Sequence, residues 1–484
     1  MHNRMLLASA LALALAAPHA RAASDKDLDE IRAQIRDLKA SYEARIKALE
    51  DRLKDAEAKA TEAKAEAASA AARPPAPVAA APEPPPPVAS APPSSPSSSL
   101  AAFNPAISAI LNGRYANLSQ DPSQFHLAGF APAPGAGPGK RGFSLGESEV
   151  AFSANVDHEF SGTLIFSVTP EDTVSVEEAY GIYAGAPAGF TPKLGRFFSG
   201  LGYLNEQHAH AWDFTDAPLV YQAFLGNQYQ TDGLQLTWVA PTDQFFMLGG
   251  EVGSGGMFPG TDRGKNGAGS GVVFARVGGD VGYSNSWLAG VSYLRTAARE
   301  RPFDWAPSFD GVTGTGGVTG TGTTVPFSFT GTSHVAAADF VWKWSPNGNP
   351  HTTNFKLQGE YLWRKESGEL ALAGDGGGGA PGSYSSRQSG WYLQGVYQFM
   401  PQWRVGLRYD RLDSGSVDAG PNAGLFPATS FDPRRSTAMV DWSPSEFSRV
   451  RLQFAQAKFA PGLTDNEWFL QYILSIGAHG AHKF

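Results

Sequence analysis

Trp403-Arg404-Val405-Gly406-Leu407-Arg408-Tyr409-Asp410 alternates apolar with charged residues, Gly406 excepted. A period of two puts Trp403, Val405, Leu407 and Tyr409 on one face of a strand and Arg404, Arg408 and Asp410 on the other. A charged face so large does not suit the packed interior of a soluble sandwich. It suits the inner wall of a barrel whose apolar face meets lipid. The same alternation recurs nearby. Phe355, Leu357, Tyr361 and Trp363 oppose Lys356, Gln358 and Glu360. Trp391, Leu393, Tyr397 and Phe399 oppose Gln394 and Gln398. Val450, Leu452 and Phe454 oppose Arg449, Arg451 and Gln453.

Extended over 103–484, this pattern predicts an all-β transmembrane barrel of about sixteen antiparallel strands. The connections sort into two classes. Short turns are expected at 161–162, 185–189, 241–242, 284–285, 346–351, 401 and 443–446. Longer polar connections alternate with them at 119–143, 199–229, 253–269, 298–328, 367–383 and 414–431, with brief ones at 171–172 and 460–465. Short periplasmic turns and longer external loops are the habit of outer-membrane barrels.

The sequence ahead of the barrel is of a different kind. Arg4, the apolar run Met5–Ala17 and Ala20-Arg21-Ala22 read as a secretory signal peptide over 1–22. Residues 23–72 carry Leu28, Ile31, Ile35, Leu38, Tyr42, Ile46, Leu49, Leu53, Ala56 and Ala60, a heptad seam with one stutter. This predicts a periplasmic coiled coil that self-associates; the seam permits more than two chains without fixing the number, and it is a resemblance to porins that implies a homotrimer. Residues 73–102, rich in Pro, Ala and Ser, form an extended linker. Coiled coil and linker together are long enough to reach peptidoglycan. The chain has no cysteine, so thiolate metal sites and Cys nucleophiles are excluded. Its net charge of -8 argues against nucleic acid as a partner.

Three stretches resemble a known group: Phe103-Asn104-Pro105-Ala106-Ile107-Ser108; Gly195-Arg196-Phe197-Phe198 leading to His208-Ala209-His210-Ala211-Trp212-Asp213-Phe214; and Gly477-Ala478-His479-Gly480-Ala481-His482. They are similar to proteobacterial outer-membrane proteins often labelled zinc-regulated TonB-dependent receptors. More distantly, a coiled coil before a sixteen-stranded barrel resembles the phosphate-selective porin O/P family. The terminal Phe484 resembles the signal read by the barrel assembly machinery. These resemblances imply a porin-like channel in outer-membrane lipid that lets small hydrophilic or charged solutes diffuse. The alternatives are a substrate-specific or metal-linked uptake protein, and a structural protein that tethers the envelope. No enzyme signature or cofactor motif occurs.

Two features concern function. Loop 199–229 carries Tyr203, His208, His210, Trp212, Asp213 and Asp216, unlike the small polar residues of its neighbours. A loop with this composition packs against something, and the general-porin resemblance implies a constriction inside the lumen. His208 and His210 are also weak metal candidates. The inward charges are uneven: Glu147, Glu149, Asp157 and Glu177 lie early, and Lys356, Arg364, Arg404, Arg408, Arg449 and Arg451 lie late. They are expected either to line a pore or to pair off as structural salt bridges.

Overall fold

In the computed structural model, Lys47 and residues 105–169, 173–305, 325–372, 381–425 and 431–477 are described. The expected signal peptide and linker lie outside them, as does the expected coiled coil apart from Lys47, and so do Phe103, Asn104, His479, His482 and Phe484.

The strands are β1 Ala106–Leu118, β2 Gly142–Leu145, β3 Ser148–Asn155, β4 Phe160–Val168, β5 Val174–Tyr183, β6 Phe190–Phe198, β7 Gln230–Val239, β8 Phe245–Gly253 and β9 Ser270–Val281. Then follow β10 Asn285–Trp305, β11 Val325–Trp344, β12 Asn354–Leu372, β13 Gly382–Met400, β14 Trp403–Asp418, β15 Arg434–Ser445, β16 Ser448–Ala460 and β17 Leu463–Gly477. Both β2 and β3 pair with β1, so they are two halves of one stave. Each of the other strands pairs antiparallel with its chain neighbours. β17 returns to β1 from Ser108↔Gly477 to Leu118↔Glu467. The result is a closed barrel of sixteen staves, as the alternation predicts.

Closure leaves no unpaired edge, which is the condition for a sheet to cross a bilayer. The outer face is apolar: Leu407 is 69% exposed, and Leu393, Trp468 and Tyr472 are exposed beside it. The inner face carries buried Gln358, Glu360, Arg408, Asp410, Arg451 and Gln453. An Arg turned toward the bilayer midplane would cost about 2–4 kcal/mol, so the register is strongly specified.

Three of the departures from the expected boundaries bear on the barrel wall. The first short turn is 156–159 and not 161–162; Ser161 and Gly162 belong to β4. The Asp157 carboxylate accepts the N–H groups of Glu159 and Phe160, both at 2.8 Å, and closes the chain there. Asp157 is therefore an exposed turn residue and does not face the lumen. The turn expected at 443–446 falls at 446–447. Finally, β10 to β14 run on into segments read as loops, because their polar residues continue to alternate and pair beyond the apolar band.

Two bulges shape the inner wall. Gly113 faces Leu145, but Ile110 faces Glu149, so one extra residue enters at Gly146–Glu147. Across β4 and β5, Ile165 faces Glu178 whereas Phe166 faces Val176, which makes Glu177 the extra residue. A bulge turns side chains that strict alternation would send to opposite faces. Here it lets the consecutive Glu177 and Glu178 both be buried.

Candidate functional site inside the barrel

Segment 199–229 enters the barrel. It holds a seven-residue helix, α1 Leu219–Leu225, every residue of which is buried. Leu201, Leu204, Trp212, Leu219, Tyr221, Phe224 and Leu225 form one apolar cluster with wall residues Phe274, Leu294, Val335, Leu362, Tyr392 and Leu412. Part of the preceding long loop joins it: Leu127 and Phe130 belong to the cluster, and the Phe130 ring lies 6.0 Å from Phe224. The aromatic content of 199–229 is thus explained by packing.

Polar groups set the position of the segment. Its ends are stapled together by Asn205, whose amide donates to the Ser199 and Tyr229 carbonyls and accepts the Tyr229 N–H. Glu251 on β8 accepts the Ser199 hydroxyl at 2.7 Å and the Gly200 N–H at 2.8 Å. Glu360 on β12 takes four donors: the N–H groups of Tyr203 and Leu204 and the hydroxyls of Tyr221 and Tyr392. A buried carboxylate so fully bonded is a rigid anchor. Asp410 on β14 accepts the Leu219 N–H at 3.0 Å and caps α1.

The middle of the segment meets the basic wall. Asp213 pairs with Lys356 and Arg404 and accepts from the Gln394 amide. Asp216 pairs with Arg408 and Arg435 and accepts from Gln453. Burial alone would raise the Asp216 carboxyl, but the Arg435 and Arg408 guanidiniums outweigh it and hold it at about 2. Arg451 donates to the Trp212 carbonyl and is held by Asp441, and Arg449 donates to the His210 carbonyl. Arg364 donates to the Ala223 carbonyl and stacks over the Phe224 ring. These late-strand cations face inward and grip the segment or neighbouring carboxylates, while Lys356 and Arg404 keep part of their surface exposed.

The acidic wall meets the two histidines. The His208 ring has Nδ1 at 3.2 Å from Glu149 and 3.5 Å from Glu177, and Nε2 at 3.0 Å from Glu178. His210 Nδ1 lies 2.8 Å from Glu149. Burial would lower the basicity of His208, but the carboxylates of Glu149, Glu177 and Glu178 outweigh it and hold the ring well above its ordinary range. Glu147, at the β2–β3 bulge, interacts electrostatically with Glu177, Glu149 and His208.

Sequence reading names the loop and several of the wall charges but not Glu178, Glu251, Arg435 or Asp441, all of them buried. Alternation assigns Glu178 to the lipid face once Glu177 faces in. The signal was present, because two consecutive glutamates in a membrane strand require a bulge. On the short-turn side of the segment a cavity of about 560 Å³ remains, lined in part by Lys193, Glu206, Gln235 and Arg276.

No protein-family model matches the chain. An uncharacterised protein of Aquifex aeolicus (strain VF5) is 31% identical over 363 residues, 71% of each chain. The two belong to one family. Looser likenesses to solved structures exist. A loop-deletion mutant of OmpT, an outer membrane protein of Vibrio cholerae, covers 77% of this chain and 99% of its own at 12% identity and TM-score 0.45. The outer membrane channel DcaP of Acinetobacter baumannii covers 76% of this chain and 96% of its own at 11% identity and TM-score 0.44. An anion-selective porin from Comamonas acidovorans covers 77% of this chain and 99% of its own at 11% identity and TM-score 0.43.

Proposed function

We propose that this protein is an outer-membrane channel for small hydrophilic or charged solutes, narrowed by segment 199–229. The observation that carries the reading is the position of that segment: it crosses a barrel of sixteen staves, a size that leaves an aqueous channel unless something occupies it. Sixteen staves favour a porin-like channel over a TonB-dependent receptor, which builds about twenty-two strands around a plug. Solutes pass beside the segment, where Lys356 and Arg404 keep about a fifth to a quarter of their side-chain surface exposed. Arg449, Glu147 and the cavity lined by Lys193 and Arg276 extend this charged path. The short turns and the N-terminal region lie in the periplasm, and three copies assemble through the coiled coil.

Because the apolar cluster spans the lumen from Phe274 to Leu412, the passage is narrow and selective, not a wide diffusive pore. Single-channel conductance in planar bilayers tests this. Replacing 207–227 with a short Gly/Ser bridge, while keeping the Asn205–Tyr229 staple, should raise conductance several-fold and admit larger solutes. Unchanged conductance in a folded variant overturns the constriction. A wild-type protein that conducts only after a solute is added points instead to the substrate-specific uptake reading.

A further inference from the structure

The fully bonded anchors of segment 199–229 contrast with several buried groups whose bonding is incomplete; among them, the Glu177 and His208 cluster sets an unbonded carboxylate beside two imidazoles. Glu177 is 5% exposed, and neither of its carboxylate oxygens has a hydrogen-bond partner. The Nδ1 atom of His208 is likewise buried without a hydrogen bond, although it faces Glu149 and Glu177. Buried polar atoms in this state are rare and call for an occupant.

We propose that Glu149, His208 and His210, with Glu177 as a fourth ligand, bind a divalent first-row transition cation such as zinc. The ligand atoms of Glu149, His208 and His210 lie within 4.8 Å of one another. Ligands of a tetrahedral zinc, bonded at about 2.0–2.2 Å, stand roughly 3.3 Å apart. The His208 Nδ1 contacts at 3.2 Å to Glu149 and 3.5 Å to Glu177 match that separation. Two imidazoles with carboxylates form a nitrogen–oxygen set that suits zinc and its neighbours better than calcium or magnesium.

Glu178 supplies the orientation. Its Oε2 lies 3.0 Å from His208 Nε2, so with Nε2 as the donor in that contact the Nδ1 atom is left facing Glu149 and Glu177. A carboxylate behind a ligating histidine is the usual outer partner of a metal site. The other Glu178 oxygen accepts the Phe198 N–H at 3.1 Å, and the Phe198 ring packs edge-on to His208 at 5.3 Å. The imidazole is thus fixed from two sides.

Both bulges serve this cluster. One precedes Glu149, and the other is Glu177 itself. Bulges beside a site that needs a side chain re-aimed are a recurrent device. A proton on His208 is the competing occupant. It answers Nδ1 and pairs at 3.2 and 3.5 Å with one oxygen each of Glu149 and Glu177, whereas a cation draws both carboxylates and both rings into one group. The inference does not depend on the channel reading, since metal binding is measured whether or not the barrel conducts.

The test uses the full chain folded in detergent, stripped with EDTA and dialysed. Titration with Zn²⁺ should show one saturable site per chain by calorimetry and elemental analysis. Co²⁺ should give the visible absorption of a tetrahedral site. Glu178→Gln should weaken zinc binding about 10–100-fold. Glu149→Gln combined with His208→Gln should abolish the site. Wild-type protein that binds no zinc and shows only octahedral cobalt overturns the proposal; so does zinc binding that survives the double substitution. If the double variant does not fold, the wild-type cobalt spectrum and the Glu178→Gln affinity still decide.

Discussion

On the β12–β16 side of the barrel, segment 199–229 brings carboxylates to a wall of cations. Asp213 and Asp216 meet Lys356, Arg404, Arg408 and Arg435, and Asp410 and Asp441 complete the pairing. On the β3–β5 side the same segment brings imidazoles to a wall of carboxylates. Glu149, Glu177 and Glu178 crowd around His208, and Glu177 makes no hydrogen bond. Both contacts are complementary in sign, but on the basic wall both carboxylates that the segment presents are paired, although Arg449 Nε and the Glu467 oxygens on neighbouring β17 lack hydrogen bonds, whereas on the acidic wall the Glu177 carboxylate beside His208 is left over. Burying ions in a completed network gives position without strong net stability, since desolvation offsets most of the attraction. An incomplete network is high in energy unless something completes it. The difference separates a wall that holds the segment from one that holds the segment and has capacity left over.

The same chemical edit, carboxylate to amide, can be applied across this contrast. Its largest effect is expected at Asp216. Asp216→Asn leaves the buried Arg408 and Arg435 with Asp410 as their remaining ion-pair partner and Glu467 as a more distant carboxylate. Removing one partner of a buried ion network costs about 3–5 kcal/mol. Urea unfolding in detergent, followed by tryptophan fluorescence, should show a loss of that order, with chymotryptic cleavage of the released segment near Trp212. A loss below about 1 kcal/mol would mean that the basic wall does not hold the segment. Glu360→Gln comes next. One amide oxygen can still accept two of the four donors, while the other donors face an NH₂ group. The expected loss is about 1–3 kcal/mol, the cost of buried donors left unsatisfied. A neutral result would show that the Tyr203 end of the segment is anchored by packing alone.

The legibility of these features follows physical range. Alternation is local, so the staves, their inward faces and most turns could be read from runs such as Trp403–Asp410. Composition is also local, and the aromatics and histidines of 199–229 set that loop apart. Pairing is not local. Nothing near Asp216 in the chain points to Arg435, which lies on a stave far along the sequence. The same holds for Glu149, which meets His210 only because the segment folds back across the lumen. Bulges fall between these cases. A period-two reading carries Glu178 outward, and only the cost of a charge in lipid shows that the period must break there.

The smallest effect is expected at Glu177, and its sign bears most directly on the contrast. Glu177→Gln preserves shape and removes one negative charge from a cluster that also holds Glu147, Glu149 and Glu178. Among the described residues, the close opposite charge it gives up is His208, whose Nδ1 lies nearer to Glu149, at 3.2 Å against 3.5 Å. The carboxylate has no hydrogen bond to lose. Lost attraction to His208 and relieved crowding with the other glutamates therefore largely cancel. Measured in EDTA, the change should stay within about 1 kcal/mol and fall on the stabilising side, because a buried charge without hydrogen bonds is replaced by a neutral group. With saturating zinc the order should reverse, since a ligand that binds only the folded state adds stability in proportion to its affinity. Wild type would then gain more than Glu177→Gln. A loss in EDTA as large as that of Asp216→Asn would show that the acidic wall is already a closed ion-pair network, and the asymmetry between the two walls would disappear.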